Sequence, residues 1–191
     1  MPPEMTYEDI TANKTKEATD GPRIIGPTDG KSVNLGAIGC RFMIDTDETP
    51  DGGFSLVEHP MPPHALAAPL HKHTREDEYS WVIEGKMGAL LGDEVVYAEA
   101  GDLVFKPRDQ WHTFWNPTDE PTRILEIIAP GGFEDFFAEL GAKLAGGLDP
   151  ADAPAFFGEM SEKYGIEFDP EATPPIAEEH GLWHPIFAPR D

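Results

Sequence analysis

The sequence has 191 residues, of which 36 are acidic and 14 basic, so its formal net charge is −22. A chain this acidic is repelled by phosphate backbones and by anionic lipid surfaces, which argues against nucleic-acid and membrane partners. No stretch approaches the roughly 18 to 20 apolar residues of a membrane span, and residues 1–9 are too polar for a secretory signal. The single cysteine, Cys40, cannot form an internal disulfide. We therefore expect a soluble, cytoplasmic protein that is held together by packing.

Residues 1–31 are polar and interrupted by proline and glycine, which predicts an N-terminal arm. Over residues 32–132, short apolar runs recur about every 8 to 12 residues between turn-forming residues, which is typical of an all-β sandwich or barrel. The runs cover residues 40–44, 54–58, 79–84, 88–91, 94–97, 103–106, 113–115 and 123–128.

Beyond residue 132 the apolar spacing becomes helical. A first stripe begins at Phe133 and ends before Gly146, and a second runs from Phe156 to Tyr164 and ends at Gly165. Residues 169–191 are rich in proline and are predicted to be extended. Residues 133–191 are thus expected to form C-terminal helices that pack against the β region, followed by an extended tail.

The segment that carries chemistry contains two histidines and a glutamate. His71 and His73 are two residues apart in an extended chain and therefore point to the same face. Glu78 follows after a length of chain that can turn back to the same point, and His112 lies in a later strand-like run. Three imidazoles and one carboxylate suit a divalent transition metal ion and leave positions open for water, substrate or dioxygen. The set accepts iron, manganese, nickel, cobalt or zinc.

Strand alternation also predicts the substrate pocket beside this site. If Glu78 points inward, Ser80 and Val82 share its face, and if His112 points inward, so do Phe114 and Asn116. Walls of this kind suit a flat apolar or aromatic small molecule.

The spacing of these residues resembles the two motifs of the cupin superfamily. His71, His73, Glu78 and Gly85 follow the first motif, and Gly101, Pro107, His112 and Asn116 follow the second. Two motif glycines are replaced, by Ala65 and Asp109. The resemblance covers about residues 40–129. It implies a double-stranded β-helix (jelly-roll) barrel, a metal ion held inside by His71, His73, Glu78 and His112, and a homodimer.

Within the superfamily, the run 74–79 and the Phe105-Lys106-Pro107 turn resemble small quercetinase-like bacterial cupins. That resemblance implies a dioxygenase that cleaves a polyphenol, flavonol or enol-type substrate, with Glu78 as both metal ligand and catalytic base. Two alternatives stay open. One is a non-oxidative, metal-dependent isomerase or cyclase, and the other is a cupin that binds a small molecule without catalysis.

Five basic residues lie in or beside the two motifs: Lys72, Arg75, Lys86, Lys106 and Arg108. They either attract an anionic substrate to the opening of the barrel or, as we favour, pair with neighbouring acids. His59 and His64 flank a proline-rich loop, and a surface position is expected for His64.

Overall fold

The computed structural model describes residues 22–186, so residues 1–21 of the predicted arm and residues 187–191 lie outside it. Strands β1 to β11 are Ser32–Asn34, Gly39–Ile44, Ser55–Met61, Leu70–His73, Asp77–Glu84, Lys86–Leu91, Glu94–Glu99, Leu103–Lys106, His112–Trp115, Thr122–Ala129 and Ile166–Asp169. Helices α1 to α3 are Glu134–Ala145, Ala153–Tyr164 and Thr173–His180. Short 3-10 turns lie at Thr46–Glu48 and Pro50–Gly52.

The strands form two antiparallel sheets. A six-stranded sheet has the order β1-β2-β3-β10-β5-β8, and a five-stranded sheet has the order β11-β4-β9-β6-β7. One apolar cluster joins both sheets, since it contains Val82 and Ile124 from the first and Met87 and Phe114 from the second. The predicted β-rich body with C-terminal helices is thus confirmed, whereas closure into a jelly-roll barrel stays a prediction.

Alternation along the strands determines which side chains reach the interior. In β10 the residues Thr122, Ile124, Glu126 and Ile128 are buried, and the residues between them are partly exposed. In β5 the buried positions begin with Glu78 and recur at every second residue. Because two of these interior positions are glutamates, the inner face of the six-stranded sheet carries charge within an apolar core.

Each of the eight apolar runs predicted to be strands overlaps a strand of the structure, but the tail differs from its prediction. Residues 166–169 pair with β4 as an additional edge strand, and residues 173–180 form helix α3 rather than extended chain. Prolines occupy the first turn of α3, where a missing backbone N–H is tolerated. Gly181 then ends the helix in the left-handed conformation, with φ 64°.

The two helices predicted from their aromatic spacing are both formed. Phe133, just before α1, packs edge-on against the His73 ring at 4.3 Å between centroids and stacks on Phe136. Phe136 also contacts Tyr164 of α2 and Phe168 of β11. This aromatic cluster covers the histidine end of the five-stranded sheet. Within residues 22–186, no helix has both the length and the apolar character that a membrane crossing requires.

Candidate metal centre

The four predicted metal ligands come together from both sheets. His71 and His73 lie on β4, and His71 is paired in register with His112 on β9. Glu78 lies on β5 of the other sheet, to which residues 74–76 carry the chain across. Each of the four is at most 4% exposed, and their potential ligand atoms lie within 4.8 Å of one another.

Hydrogen bonds to main-chain carbonyls orient two of the imidazoles. Nδ1 of His71 lies 2.7 Å from the carbonyl oxygen of Pro69, and Nδ1 of His112 lies 3.0 Å from that of Gln110. Because a carbonyl only accepts, each Nδ1 carries the proton and each Nε2 keeps its lone pair. Nε2 of His112 lies 3.3 Å from Glu78 Oε2, and Nε2 of His73 lies 3.3 Å from Glu78 Oε1.

The donor set fits a metal ion. Both ring nitrogens of His73 and Nε2 of His112 are buried and lack a hydrogen-bond partner among the described residues. Burial lowers the pKa of His71 well below its usual value and that of His73 to about 4, so both rings are neutral at pH 7. Neutral imidazoles are the form that binds metal, and a cation would satisfy the unpartnered nitrogens.

An ion pair inside the protein, which the sequence analysis missed, fixes the charge of Glu78. Lys106 is fully buried, and its Nζ lies 2.8 Å from Glu78 Oε2. Burial raises the pKa of Glu78, but Lys106 and the histidines His73 and His112 outweigh that effect and hold it well below its usual range. Glu78 is therefore anionic, which suits a metal ligand. Because its pKa is low, however, it is a weaker base than the catalytic role implied by the family resemblance would require.

Lys106 also bridges to a second buried carboxylate. Its Nζ lies 3.1 Å from Glu126 Oε2, which in turn accepts a hydrogen bond of 2.8 Å from the Ser80 hydroxyl. The ammonium lies 4.5 Å from the centre of the Phe114 ring. The buried position of Lys106 follows from the alternation of side chains along β8, where Val104 and Lys106 both point inward. Lys106 is also paired in register with Glu78 on β5.

The other basic residues near the motifs are held at the surface. Lys72, Lys86 and Arg108 pair with acidic neighbours Glu167, Glu99 and Asp77, at 3.0, 2.7 and 2.8 Å. Arg75 donates to the main-chain carbonyl of Lys163. Lys72, Lys86 and Arg108 therefore pair with neighbouring acids, which is the explanation favoured from the sequence over attraction of an anionic substrate.

Residues 58–128 match the family model described as the cupin domain. Among solved structures, KdgF from Halomonas sp. is 16% identical, with a TM-score of 0.52, and the match covers 60% of this chain and 99% of that one. A predicted oxalate decarboxylase from Thermotoga maritima is also 16% identical, with a TM-score of 0.51 and coverage of 56% and 98%. These two likenesses show the fold alone.

A third solved structure is more similar in sequence. The polyketide cyclase RemF from Streptomyces resistomycificus is 28% identical, with a TM-score of 0.50, and the match covers 58% of this chain and 80% of that one. No curated protein matches the chain significantly. The comparisons thus relate residues 58–128 to the cupin domain and leave the reaction open, while the cluster of three histidines and a glutamate that could bind a metal ion is a finding of the structure.

The metal cluster borders an apolar cavity that is partly open to solvent. His71 and Glu78 form part of the lining, and the remainder is mostly aromatic and aliphatic. Residues from α1, α2 and β11 close one side, namely Phe136, Phe137, Leu140, Leu144, Phe157 and Phe168. A small molecule in the cavity would contact His71 and Glu78 of the metal cluster and, for the most part, hydrocarbon.

Of the four residues predicted to form the substrate pocket, Phe114 lines this cavity, and the other three lie outside its lining. Ser80 and Val82 do share the inward face of β5 with Glu78, but Ser80 hydrogen-bonds Glu126 and Val82 lies in the apolar core. Asn116 has a structural position, since its amide donates to the carbonyls of Met61, Pro62 and Glu120.

Three polar residues of the cavity lining were not among the predicted site residues: His59, Glu126 and His184. His184 is 4% exposed and lies on the segment after α3, which the main chain of Trp183 ties to His64 and Leu66. His64 itself is at the surface, as expected, where its Nε2 lies 2.8 Å from Asp119. Nothing in the local spacing of His59 or His184 distinguishes them, because the strand pairing and the folded-back tail bring them inward.

Proposed function

We propose that this cupin domain is a metal-dependent enzyme that binds a flat, mostly apolar small molecule through an enol or phenol oxygen. The observation that carries the proposal is that His71 and Glu78 belong both to the metal cluster and to the lining of an aromatic cavity. A substrate that fills the cavity therefore reaches the ligands directly. A cavity of hydrocarbon with a few convergent polar groups is the usual form of a small-molecule site.

His71, His73 and His112 would hold the ion through Nε2, and Glu78 would hold it through Oε1, because Oε2 is engaged by Lys106. When bound, a divalent iron, manganese, nickel, cobalt or zinc ion supplies Lewis acidity and, if it is redox-active, an electron path to dioxygen. Lys106 keeps Glu78 ionised and fixes its carboxylate plane. The phenylalanines around the cavity exclude water from the bound substrate.

The reaction that we propose first is oxidative cleavage of a polyphenol, flavonol or enol, with both atoms of one dioxygen entering the product. It is supported by the resemblance of the motif region to quercetinase-like cupins and by a donor set that leaves coordination positions open. The second candidate is a non-oxidative cyclisation, which the 28% identity to the polyketide cyclase RemF favours.

Oxygen uptake separates these reactions. The protein is loaded in turn with each of the five metals, and an electrode records dioxygen consumption with a panel of flavonols and polyketide-like enols. One dioxygen consumed per substrate supports the dioxygenase, and equal turnover without air supports the cyclase. Metal and ligand binding without turnover would contradict an enzymatic role. His71→Ala serves as the inactive control, and His64→Ala as the matched histidine change at the surface.

The role of Glu78 as catalytic base needs its own variant. Glu78→Gln keeps the shape of the side chain but removes its charge. If this variant still binds metal and loses activity, the base role gains support. Full activity in the same variant would exclude that role and leave Glu78 as a ligand only.

A further inference from the structure

A carboxylate that is not part of the metal cluster also faces the cavity. Glu126 is 1% exposed and lines the cavity from β10. Its Oε2 is held by the Ser80 hydroxyl at 2.8 Å and by Lys106 Nζ at 3.1 Å. Its Oε1 is buried and has no hydrogen-bond partner among residues 22–186. Both hydrogen-bond donors thus contact Oε2, and Oε1 is left as a buried acceptor without a donor.

His59, on the neighbouring strand β3, is paired in register with Ile124, two residues from Glu126 along β10, and it lines the same cavity. Its Nδ1 lies 2.9 Å from the Gly39 carbonyl oxygen, so Nδ1 carries the proton and Nε2 keeps a lone pair. The ring packs edge-on against Phe137 at 5.1 Å between centroids. Burial lowers the pKa of His59 to about 4, so the ring stays neutral and Nε2 can accept a hydrogen bond.

A buried polar atom without a partner is unfavourable, and native proteins pair nearly all of them. Here the acceptor adjoins a cavity, so a bound molecule can supply the missing donor. The position of that donor is restricted, because Lys106 Nζ contacts both Glu126 Oε2 and the metal-cluster residue Glu78. The Lys106 ammonium group therefore bridges Glu126 to the metal cluster, and the missing donor must lie close to that cluster.

We propose that Glu126 Oε1 and His59 Nε2 form a hydrogen-bond acceptor subsite for a second hydroxyl of the substrate, close to the oxygen that reaches the metal cluster. This inference rests on the proposed function and deepens it, because it restricts the substrate to apolar ring molecules with two neighbouring oxygen functions. Glu126 acts here by positioning the substrate. A molecule with only the metal-binding oxygen would leave Oε1 unpaired and would bind more weakly.

The test uses two probes of nearly equal shape, 2-naphthol and 2-methylnaphthalene, which differ by a hydroxyl in place of a methyl group. Binding to the full chain is followed by probe fluorescence in the presence of EDTA, so that no metal contributes. The titration is made at pH 8.5, because burial raises the pKa of Glu126 to about 7 and its carboxylate must be ionised to accept the hydrogen bond. We expect 2-naphthol to bind about tenfold or more tightly, because a hydrogen bond to a buried charged acceptor is worth about that factor. In Glu126→Gln the preference should fall to within about threefold.

Two further variants complete the design. His59→Phe keeps the ring packing and should reduce the preference in part. Glu58→Gln is the matched control, since Glu58 is another buried glutamate but pairs with arginines outside the cavity lining. It should leave the preference unchanged.

Equal affinity of the two probes for the unaltered protein would overturn the inference, and so would binding of neither probe below about 1 mM. An undiminished preference in folded Glu126→Gln would do the same. If Glu126→Gln does not fold, the preference of the unaltered protein and its reduction in His59→Phe decide the matter. Metal binding is measured separately by zinc titration, so a failed metal site and a failed hydroxyl subsite give different results.

Discussion

Lys106 and Glu78 are cross-strand partners on β8 and β5, and they form a buried ion pair with Nζ 2.8 Å from Oε2. Burial lowers the pKa of Lys106, but the carboxylates of Glu126 and Glu78 outweigh that effect and raise it overall. The lysine is therefore a permanent cation within the interior. It pairs with two carboxyl groups that line the cavity, Glu78 of the metal cluster and Glu126 outside it.

Replacing Lys106 by methionine should strongly destabilise the fold. The change leaves the buried Glu78 and Glu126 without their cation, and breaking a buried pair in this way costs about 3 to 5 kcal/mol. Urea unfolding of Lys106→Met measures the loss, and added zinc should restore part of it by acting as the missing cation. Lys86→Met is the matched control, because its pair with Glu99 is exposed and is worth about 1 kcal/mol or less. Similar stability of the two variants would refute the structural role of Lys106.

The stability of the protein should depend on pH through Glu58. Burial raises the pKa of this carboxyl, but hydrogen bonds from Arg123 and Arg41 outweigh that effect and lower it below its ordinary 4.5. A lowered pKa in the folded state means that the contribution is complete above about pH 4.5 and disappears as the pH falls through the folded-state value. We expect the stability difference between the unaltered protein and Glu58→Gln to shrink below pH 4.5. A difference that stays constant down to pH 3 would contradict this.

Gly88 should tolerate no side chain. A Cβ atom at this position of β6 would lie 2.5 Å from Cε2 of the Trp115 indole, which is 1% exposed. Because the indole cannot retreat, Gly88→Ala should lower the free energy of unfolding by about 1 to 3 kcal/mol. The control is Gly158→Ala in helix α2, where a Cβ meets nothing within 4 Å and alanine should stabilise by about 0.5 to 1 kcal/mol. Calorimetry of both variants checks the opposite signs.

His112 should contribute more to metal affinity than any surface histidine. It is the ligand supplied by β9, and its loss removes one of four donors from the cluster. We expect His112→Ala to weaken zinc binding by more than about tenfold in a competition titration with a chromogenic chelator. His64→Ala, which changes a surface histidine paired with Asp119, should bind zinc as the unaltered protein does. Equal affinities in both variants would place the metal elsewhere.

Three of the four residues of the metal cluster could be predicted from the sequence because their positions depend on local geometry. The spacing of His71 and His73 follows from strand alternation, and Glu78 begins the next strand after a short turn. The strand-like run around His112 also made it a candidate, but its position beside His71 depends on a long-range strand pairing that local spacing does not encode. The β-rich body and the first two helices followed from the spacing of apolar residues.

The inner charges and the cavity were not predictable in the same way. Lys106 belongs to a run of motif residues whose bases otherwise pair at the surface, and only the register of β8 on β5 places it inside. Glu126 and His59 reach the cavity through pairing of β10 and β3, which no short motif encodes. The helix at residues 173–180 was not predicted because its prolines indicate extended chain, although proline is equally common in the first turn of a helix.

The most direct test of the account is elemental analysis of the purified protein after exposure to iron, manganese, nickel, cobalt and zinc, with His71→Ala measured alongside. We expect about one divalent ion per chain in the unaltered protein and a large loss in the variant. A protein that retains no stoichiometric ion, or a variant that retains as much as the unaltered chain, would contradict the assignment of the metal centre to His71, His73, Glu78 and His112.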